Sequence, residues 1–201
     1  RRGIMAQHFL KEYDLISEKA SDLHFSSVVV DTHSDSLVWP TRHDVDIGVR
    51  QQQAQLDLPK MQEGGQNVQF FACFASPSWI PKKKVVQVTL DYMDSFHTLM
   101  TNYPGDIEQA STADDVRRIR ESGKLAAILC VEGGHSIDDD LSILRMCHYL
   151  GARYMTLTWN NTNGWADGVL GEPIHGGLSN FGKEVVLEMN RIGMLVDISH
   201  V

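Results

Sequence analysis

The sequence predicts an α/β fold in which parallel strands alternate with helices, and among such folds it favours the early part of a (β/α)8 TIM barrel. Three observations carry that expectation. Segments with helical spacing end on a glycine and run directly into a strand. Those strands are apolar on both faces, as strands buried between helices are. Polar clusters then recur at the C-terminal ends of the strands, where barrel enzymes hold their chemistry.

In chain order, residues 1–24 read as an amphipathic, charged helical arm, and residues 25–201 as the N-terminal part of one barrel domain. The first strand is expected over Ser27–Thr32. Trp39–Leu58, polar and Gln-rich, reads as a long surface loop of the kind that often carries function. LPKMQEGG makes a short helical turn with a glycine ending, ahead of a strand over Val68–Ala75. The connection Trp79–Asn102 carries a helix from about Lys84, and Lys82-Lys83-Lys84 reads as its solvated start. STADDVRRIRESG opens with Thr112 and Asp115 in capping-box spacing and stops at Gly123, before a strand over Leu125–Val131. DLSILRMCHYLG puts Leu141, Leu144 and Cys147 or His148 on one face, then stops at Gly151 before the strand Arg153–Trp159. LSNFGKEVVLEMNRIG aligns Phe181, Val185, Met189 and Ile192 and stops at Gly193, before Met194–Ser199. An open doubly wound sheet would announce a glycine-rich phosphate loop after its first strand, and DTHSDS stands there instead. A full barrel takes about 250 residues, so the strands after the fifth are expected beyond Val201.

Composition narrows the function classes. Hydrophobic content of 42% and charged content of 22% are those of an ordinary globular protein. A net charge of -8 argues against a nucleic-acid binder, which shows a basic face. No run approaches the roughly 18 apolar residues of a membrane span, and no signal peptide is visible. The chain begins with Arg rather than Met, which leaves upstream processing open. Cys73 and Cys130 lie in apolar runs and Cys147 on a helix, so all three read as buried thiols rather than a disulfide framework. The compartment stays undetermined: the cytoplasm is slightly favoured, with export after removal of an upstream signal still open.

The chemistry concentrates at three strand ends: His33-Ser-Asp35, Glu132-Gly-Gly and Asp197-Ile-Ser-His200. On an extended chain, residues two apart point to the same side, so His33 and Asp35 converge from one strand end. Glu132 follows the apolar run LAAILCV, with two glycines behind it that admit close approach. Mixed histidine and carboxylate donors suit Zn²⁺ and related ions, and a carboxylate between two such ends can bridge a pair of metals. A lone His-x-Asp more often orients a turn than binds a metal. The recurrence at three strands, where unneutralised charge would be costly to bury, favours the metal. Asp197 is expected to accept a hydrogen bond that orients His200, the alternative being a satisfied polar group at the strand end. His135 reads as a loop organiser. Trp159, Asn160, Asn161, Asn163 and Trp165 form an aromatic–amide cluster that either walls a pocket or packs a loop.

These residues resemble a known family, the zinc dipeptidases related to renal, or membrane, dipeptidase. VVVDTHSDSL resembles its first-strand motif, LDLPKMQEGGQNVQFF the approach to its second strand, and VEGGHSIDDDLSILRMCHYLGARYMTLTWNNTNGWADG, GLSNFGKEVV and GMLVDISHV its later pattern. The resemblance implies a (β/α)8 barrel of the metal-dependent hydrolase type with two Zn²⁺ per active site. Its substrates would be dipeptides, with tolerance for a D-residue at the C-terminal position. It further implies that His33 and Asp35 bind one zinc, Glu132 bridges both as the catalytic-site carboxylate, and His200 binds the second. A further zinc-binding histidine and a catalytic aspartate would lie beyond Val201. One departure stands out: where well-studied animal members carry a substrate-contacting histidine, this chain has Trp159. If that histidine stabilises the tetrahedral oxyanion, its loss must be offset by metal polarisation or by a neighbouring substrate contact such as Asn160.

The expected reaction is attack of a metal-activated hydroxide on the peptide carbonyl. The partner is a dipeptide, with a homodimer open and no nucleic acid. Two rivals remain. One is another metal-dependent hydrolase of the amidohydrolase type, a deaminase or lactonase, although those begin with His-x-His. The other is a metal- or peptide-binding homologue without catalysis, for which Trp159 is the hint.

Overall fold

The computed structural model describes residues 17–201. The expected arm therefore lies outside the described residues over 1–16, and its remainder opens helix α1 (Glu18–Ser26). The chain packs into two compact units. The first runs up to Phe71 and again over His97–Ile128, and the second comprises Ala72–Phe96 and Leu129–Val201. Among the described residues no helix is long and apolar enough to cross a membrane.

In the first unit, β1 (Val30–Ser34) pairs in parallel with the start of β2 (Val68–Phe74), and β3 (Ile107–Gln109) pairs in parallel with the start of β4 (Leu125–Glu132). Val68, Ala126 and Ile128 from the strands pack with Ala110 and Ile119, covered by Phe70 and Val116. Ile119 and Val116 belong to α5 (Ala113–Glu121), whose start is a complete capping box. The Asp115 amide donates to Thr112 Oγ1 at 3.1 Å, and Thr112 N donates to the Asp115 carboxylate at 3.0 Å. Gly123 after it takes a φ of 79°, open to a residue without Cβ.

In the second unit, the end of β4 pairs in parallel with β5 (Ala152–Thr156), and β5 with β6 (Leu195–Asp197) in the register Tyr154↔Leu195, Met155↔Val196, Thr156↔Asp197. Helices α6 (Leu141–Tyr149) and α7 (Asn180–Ile192) bury Leu144, Cys147, Val185 and Met189, at the expected spacing. Gly193 ends α7 in the left-handed region, and Met194 N returns to the carbonyl of Met189. The helix α4 (Val85–Asn102) begins where it was expected, and the three cysteines are buried outside any disulfide. Parallel strands alternating with helices make this an α/β fold.

Several boundaries differ from expectation for local reasons. Ser27 is not a strand residue, because its amide is spent on the carbonyls of Leu23 and His24 as the C-cap of α1. Strand β1 starts at Val30 and runs on through His33. The segment Trp39–Leu58 is not wholly a surface loop. It overlaps a short helix α2 (Val38–His43) and sinks Ile47 and Ala54 into the interior. Strand β3 has no signature in the sequence, since three residues with one buried side chain leave no periodicity.

That segment is anchored by Asp57, which is fully buried and caps α3 (Leu58–Glu63). Its carboxylate accepts from Gln51 N and Lys60 N, both at 2.8 Å, and lies 3.1 Å from Lys60 Nζ. Burial opposes its ionisation, but the two amides and the ammonium outweigh it and hold the carboxyl below the usual range. Asp57→Ala is expected to cost about 1–3 kcal/mol through the lost cap and the stranded Gln51 amide. Because the folded pKa is depressed, the stabilisation from ionised Asp57 is complete above the unfolded pKa of about 3.9 and is lost as pH falls through the folded value. Denaturant titrations of wild type and Asp57→Asn from pH 6 downward should show their gap shrinking in acid, and a gap independent of pH would refute the ion pair.

Candidate functional site

In the first unit, β1 ends in a bulge: Asp31 pairs with Gln69 and Ser34 with Phe71, so the strand carries one extra residue between them. Asp31 Oδ1 accepts from His33 N at 3.0 Å. Ser34 and Ser36 turn inward and hydrogen-bond to each other, while His33 and Asp35 turn outward. The alternation predicted from spacing two apart therefore holds through the bulge. His33 Nε2 lies 3.8 Å from Asp35 Oδ1, with both side chains open to solvent.

All eight residues of β4 are buried, and in the second unit Glu132 ends the strand at 5% exposure. His200 presents Nε2 at 3.2 Å from Glu132 Oε1. Its other nitrogen, Nδ1, lies 2.9 Å from Asn160 Oδ1. His200 has a φ of 68°, uncommon for a residue with a Cβ. Its carbonyl is held there by Thr158 Oγ1 at 2.8 Å and by Val169 N at 2.9 Å. Asp197, expected to orient His200, instead organises the turn before it. One carboxylate oxygen accepts from Thr156 Oγ1 at 2.6 Å, and the other accepts from Ser199 N and Oγ. Asn160 is the side chain at the His200 ring nitrogen. No sequence spacing announces that pairing, since the two residues are 40 apart.

The turn after Glu132 is shaped by packing. Gly133 has a φ of 92°, and a Cβ on Gly134 would stand 2.2 Å from Trp165 Cζ2 and 2.5 Å from the Leu157 carbonyl. His135 is buried and meets the Ala75 carbonyl with Nε2 at 2.6 Å. Burial lowers its pKa, so the ring is a neutral donor to that carbonyl and the expected loop organiser.

The aromatic–amide cluster divides by task. Asn163 and Trp165 pack the loop: Asn163 Oδ1 accepts from Trp165 N and Ala166 N, and Asn163 Nδ2 donates to the Leu157 carbonyl. Asp167 accepts from the amides of Gly177, His175 and Ile174, which hold its carboxyl below the usual range. Trp159 is left facing Phe74 at 5.2 Å and His200 at 6.3 Å between ring centroids.

Each unit thus presents one imidazole beside one carboxylate, His33 with Asp35 and Glu132 with His200. A nitrogen–oxygen donor set of this kind fits Zn²⁺ and similar divalent ions. Burying Glu132 at the tip of an apolar strand favours a positive neighbour.

Comparison with known proteins gives a consistent result. Residues 17–201 match the family model for membrane dipeptidase, peptidase family M19. An uncharacterized dipeptidase of Schizosaccharomyces pombe is 35% identical over 213 residues, covering 95% of this chain and 50% of its own. Dipeptidase 3 of Rattus norvegicus is 35% identical over 151 residues, covering 73% of this chain and 30% of its own. The probable dipeptidase PvdM of Pseudomonas aeruginosa shares the fold with a TM-score of 0.82 at 24% identity, over 91% of this chain and 49% of that one. A metallo peptidase of Rhodobacter sphaeroides, solved with a phosphinate mimic of the dipeptide L-Ala-D-Ala, has a TM-score of 0.73 at 25% identity, over 87% of this chain and 59% of that one. The chain spans about half the length of the S. pombe relative.

The packing of the turn makes one mutation informative. Gly134→Ala should cost about 1–3 kcal/mol by overpacking against Trp165 and Leu157. At about 2–4 °C of thermal midpoint per kcal/mol, calorimetry would resolve it. An unchanged midpoint would show that the indole does not press on this turn.

Proposed function

The chain belongs to the membrane dipeptidase family, peptidase family M19, and on that membership we propose that it serves a zinc-dependent enzyme that hydrolyses the peptide bond of dipeptides. The observation that carries the proposal is the Glu132–His200 pair, a buried carboxylate 3.2 Å from an imidazole nitrogen. His33 and Asp35 would hold one zinc, His200 a second, and Glu132 both. When bound, the ions would polarise the scissile carbonyl and lower the pKa of the attacking water.

The chain's own residues set the conditions for that chemistry. The fully buried β4 holds Glu132 rigidly, which suits a fixed bridging carboxylate better than a mobile general base. Trp159, tilted against Phe74, forms an aromatic wall next to His200. An indole offers a single neutral N–H and no positive charge. Substrate would therefore meet apolar surface there, and selection would favour side chains that pack on a ring. Asn160 has its amide oxygen turned to His200, so its NH₂ is the donor it can offer a substrate carbonyl. The mimic of L-Ala-D-Ala bound by the R. sphaeroides relative supports extending the substrate range to dipeptides with a C-terminal D-residue.

Elemental analysis and a panel of L-L and L-D dipeptides, lactones and nucleobases test the proposal together. Two zincs and turnover of dipeptides alone are expected. Zinc without turnover of any dipeptide would favour a binding homologue, and turnover of lactones or nucleobases a different hydrolase. Glu132→Gln should lose metal and activity together; a variant that keeps both zincs and normal hydrolysis would refute the bridging role. Trp159→His is expected to shift KM toward less aromatic dipeptides, checked by comparing Phe- and Ala-containing substrates.

A further inference from the structure

We propose that a cavity of about 190 Å³ in the second unit, between α4 and α6, binds a small neutral molecule with an apolar body and one hydroxyl, of the size of phenol or benzyl alcohol. None of the residues proposed to hold zinc lines it, and the proposal does not depend on them.

Size and lining set the class of ligand. Val86 and Leu90 contribute to the cavity from α4, and Ile143, Met146 and Cys147 from α6. A cavity of about 150 Å³ lined by aliphatic and aromatic side chains holds one benzene, so this one has room for a single ring with a short substituent. No described residue that lines it carries a charged group. Burial pushes the Cys147 thiol up to about 12, which keeps it a neutral wall. A free amino acid or dipeptide would leave its ammonium and carboxylate unpaired there. The substrate of the proposed reaction and its products are therefore excluded.

One lining group calls for a polar partner. Ser136 stands on the short 3₁₀ turn Gly134–Ile137 and is fully buried. Its amide donates to the Gly133 carbonyl at 3.0 Å, whereas its hydroxyl meets no partner. A hydroxyl buried in that state is costly. Thr89, the other buried hydroxyl of the lining, donates to the Val85 carbonyl at 2.9 Å and is satisfied within its own helix. Ser136 is thus the group that a ligand hydroxyl completes, since each hydroxyl can donate or accept. The rest of the contact is apolar, and the exposed Leu90 and Met146 give the cavity an entrance from solvent.

Methyl NMR of the protein labelled at Ile and Met tests the site. Phenol and benzyl alcohol should shift the Ile143 and Met146 methyls saturably at about millimolar concentration, and benzene should bind more weakly. Ser136→Ala should weaken phenol about 3–10-fold, as the loss of one hydrogen bond does, and leave benzene unchanged. Relieved of an unpaired hydroxyl, the same variant should melt about 2–4 °C higher without ligand. Val86→Phe or, should that chain not fold, Leu90→Phe should fill the cavity and abolish binding of both probes. The proposal is overturned if no saturable shift reaches Ile143 and Met146, or if phenol binds no tighter than benzene. An Ser136→Ala protein that keeps wild-type phenol affinity, or melts lower than wild type, would overturn it as well.

Discussion

A carboxylate at the tip of a strand whose eight residues are all buried is the constraint to which the rest of the second unit answers. Ionised and left to itself in apolar surroundings, Glu132 would carry a large desolvation cost. The structure meets that cost locally rather than by moving the charge outward. The imidazole of His200 stands against one oxygen, and the chain behind Glu132 is cleared of side chains for two residues. His135 is drawn inward and kept neutral by burial, with its proton committed to the Ala75 carbonyl. His200 reaches the Glu132 oxygen on a left-handed residue whose carbonyl is held by two hydrogen bonds.

The loop between β5 and α7 shows how a fold supports a site without contributing most of its residues to it. Asn163 and Asp167 each collect several backbone amides, so a long connection becomes a rigid object instead of a mobile one. Trp165 buries itself completely under this loop and determines that the residue after Gly133 must also be glycine. Trp159 and Asn160 are then carried beside His200 as a consequence of that internal bonding. At Trp159 the loop presents an indole, with one neutral N–H and no positive charge, beside His200.

Much of the fold was legible because its signals are local. The Thr112–Asp115 spacing specified a cap, the glycines at 123 and 193 specified helix ends, and the spacing of Leu144 with Cys147 and of Val185 with Met189 specified buried faces. The alternation of His33 and Asp35 with Ser34 and Ser36 likewise follows from strand geometry. Signals that depend on distant partners were not legible. Ser27 looked like a strand residue until the helix before it claimed its amide. Ile47 and Ala54 lie in a polar stretch whose composition gave no sign of burial, and Asp57 anchors that stretch through Gln51 and Lys60.

By itself, the sequence determined the class of fold, the parallel order of helix and strand, and the imidazole and carboxylate groups gathered at the strand ends. Those properties depend on side-chain type and on spacing over a few residues, which the chain states directly. Only the tertiary structure decided which polar group faces which. Asn160 rather than Asp197 meets the ring of His200, and Asp197 spends its oxygens on Thr156 and Ser199. Both choices were open to the sequence, because hydrogen bonds between residues some 40 positions apart are settled by the register of β5 against β6 and by the path of the loop beside them.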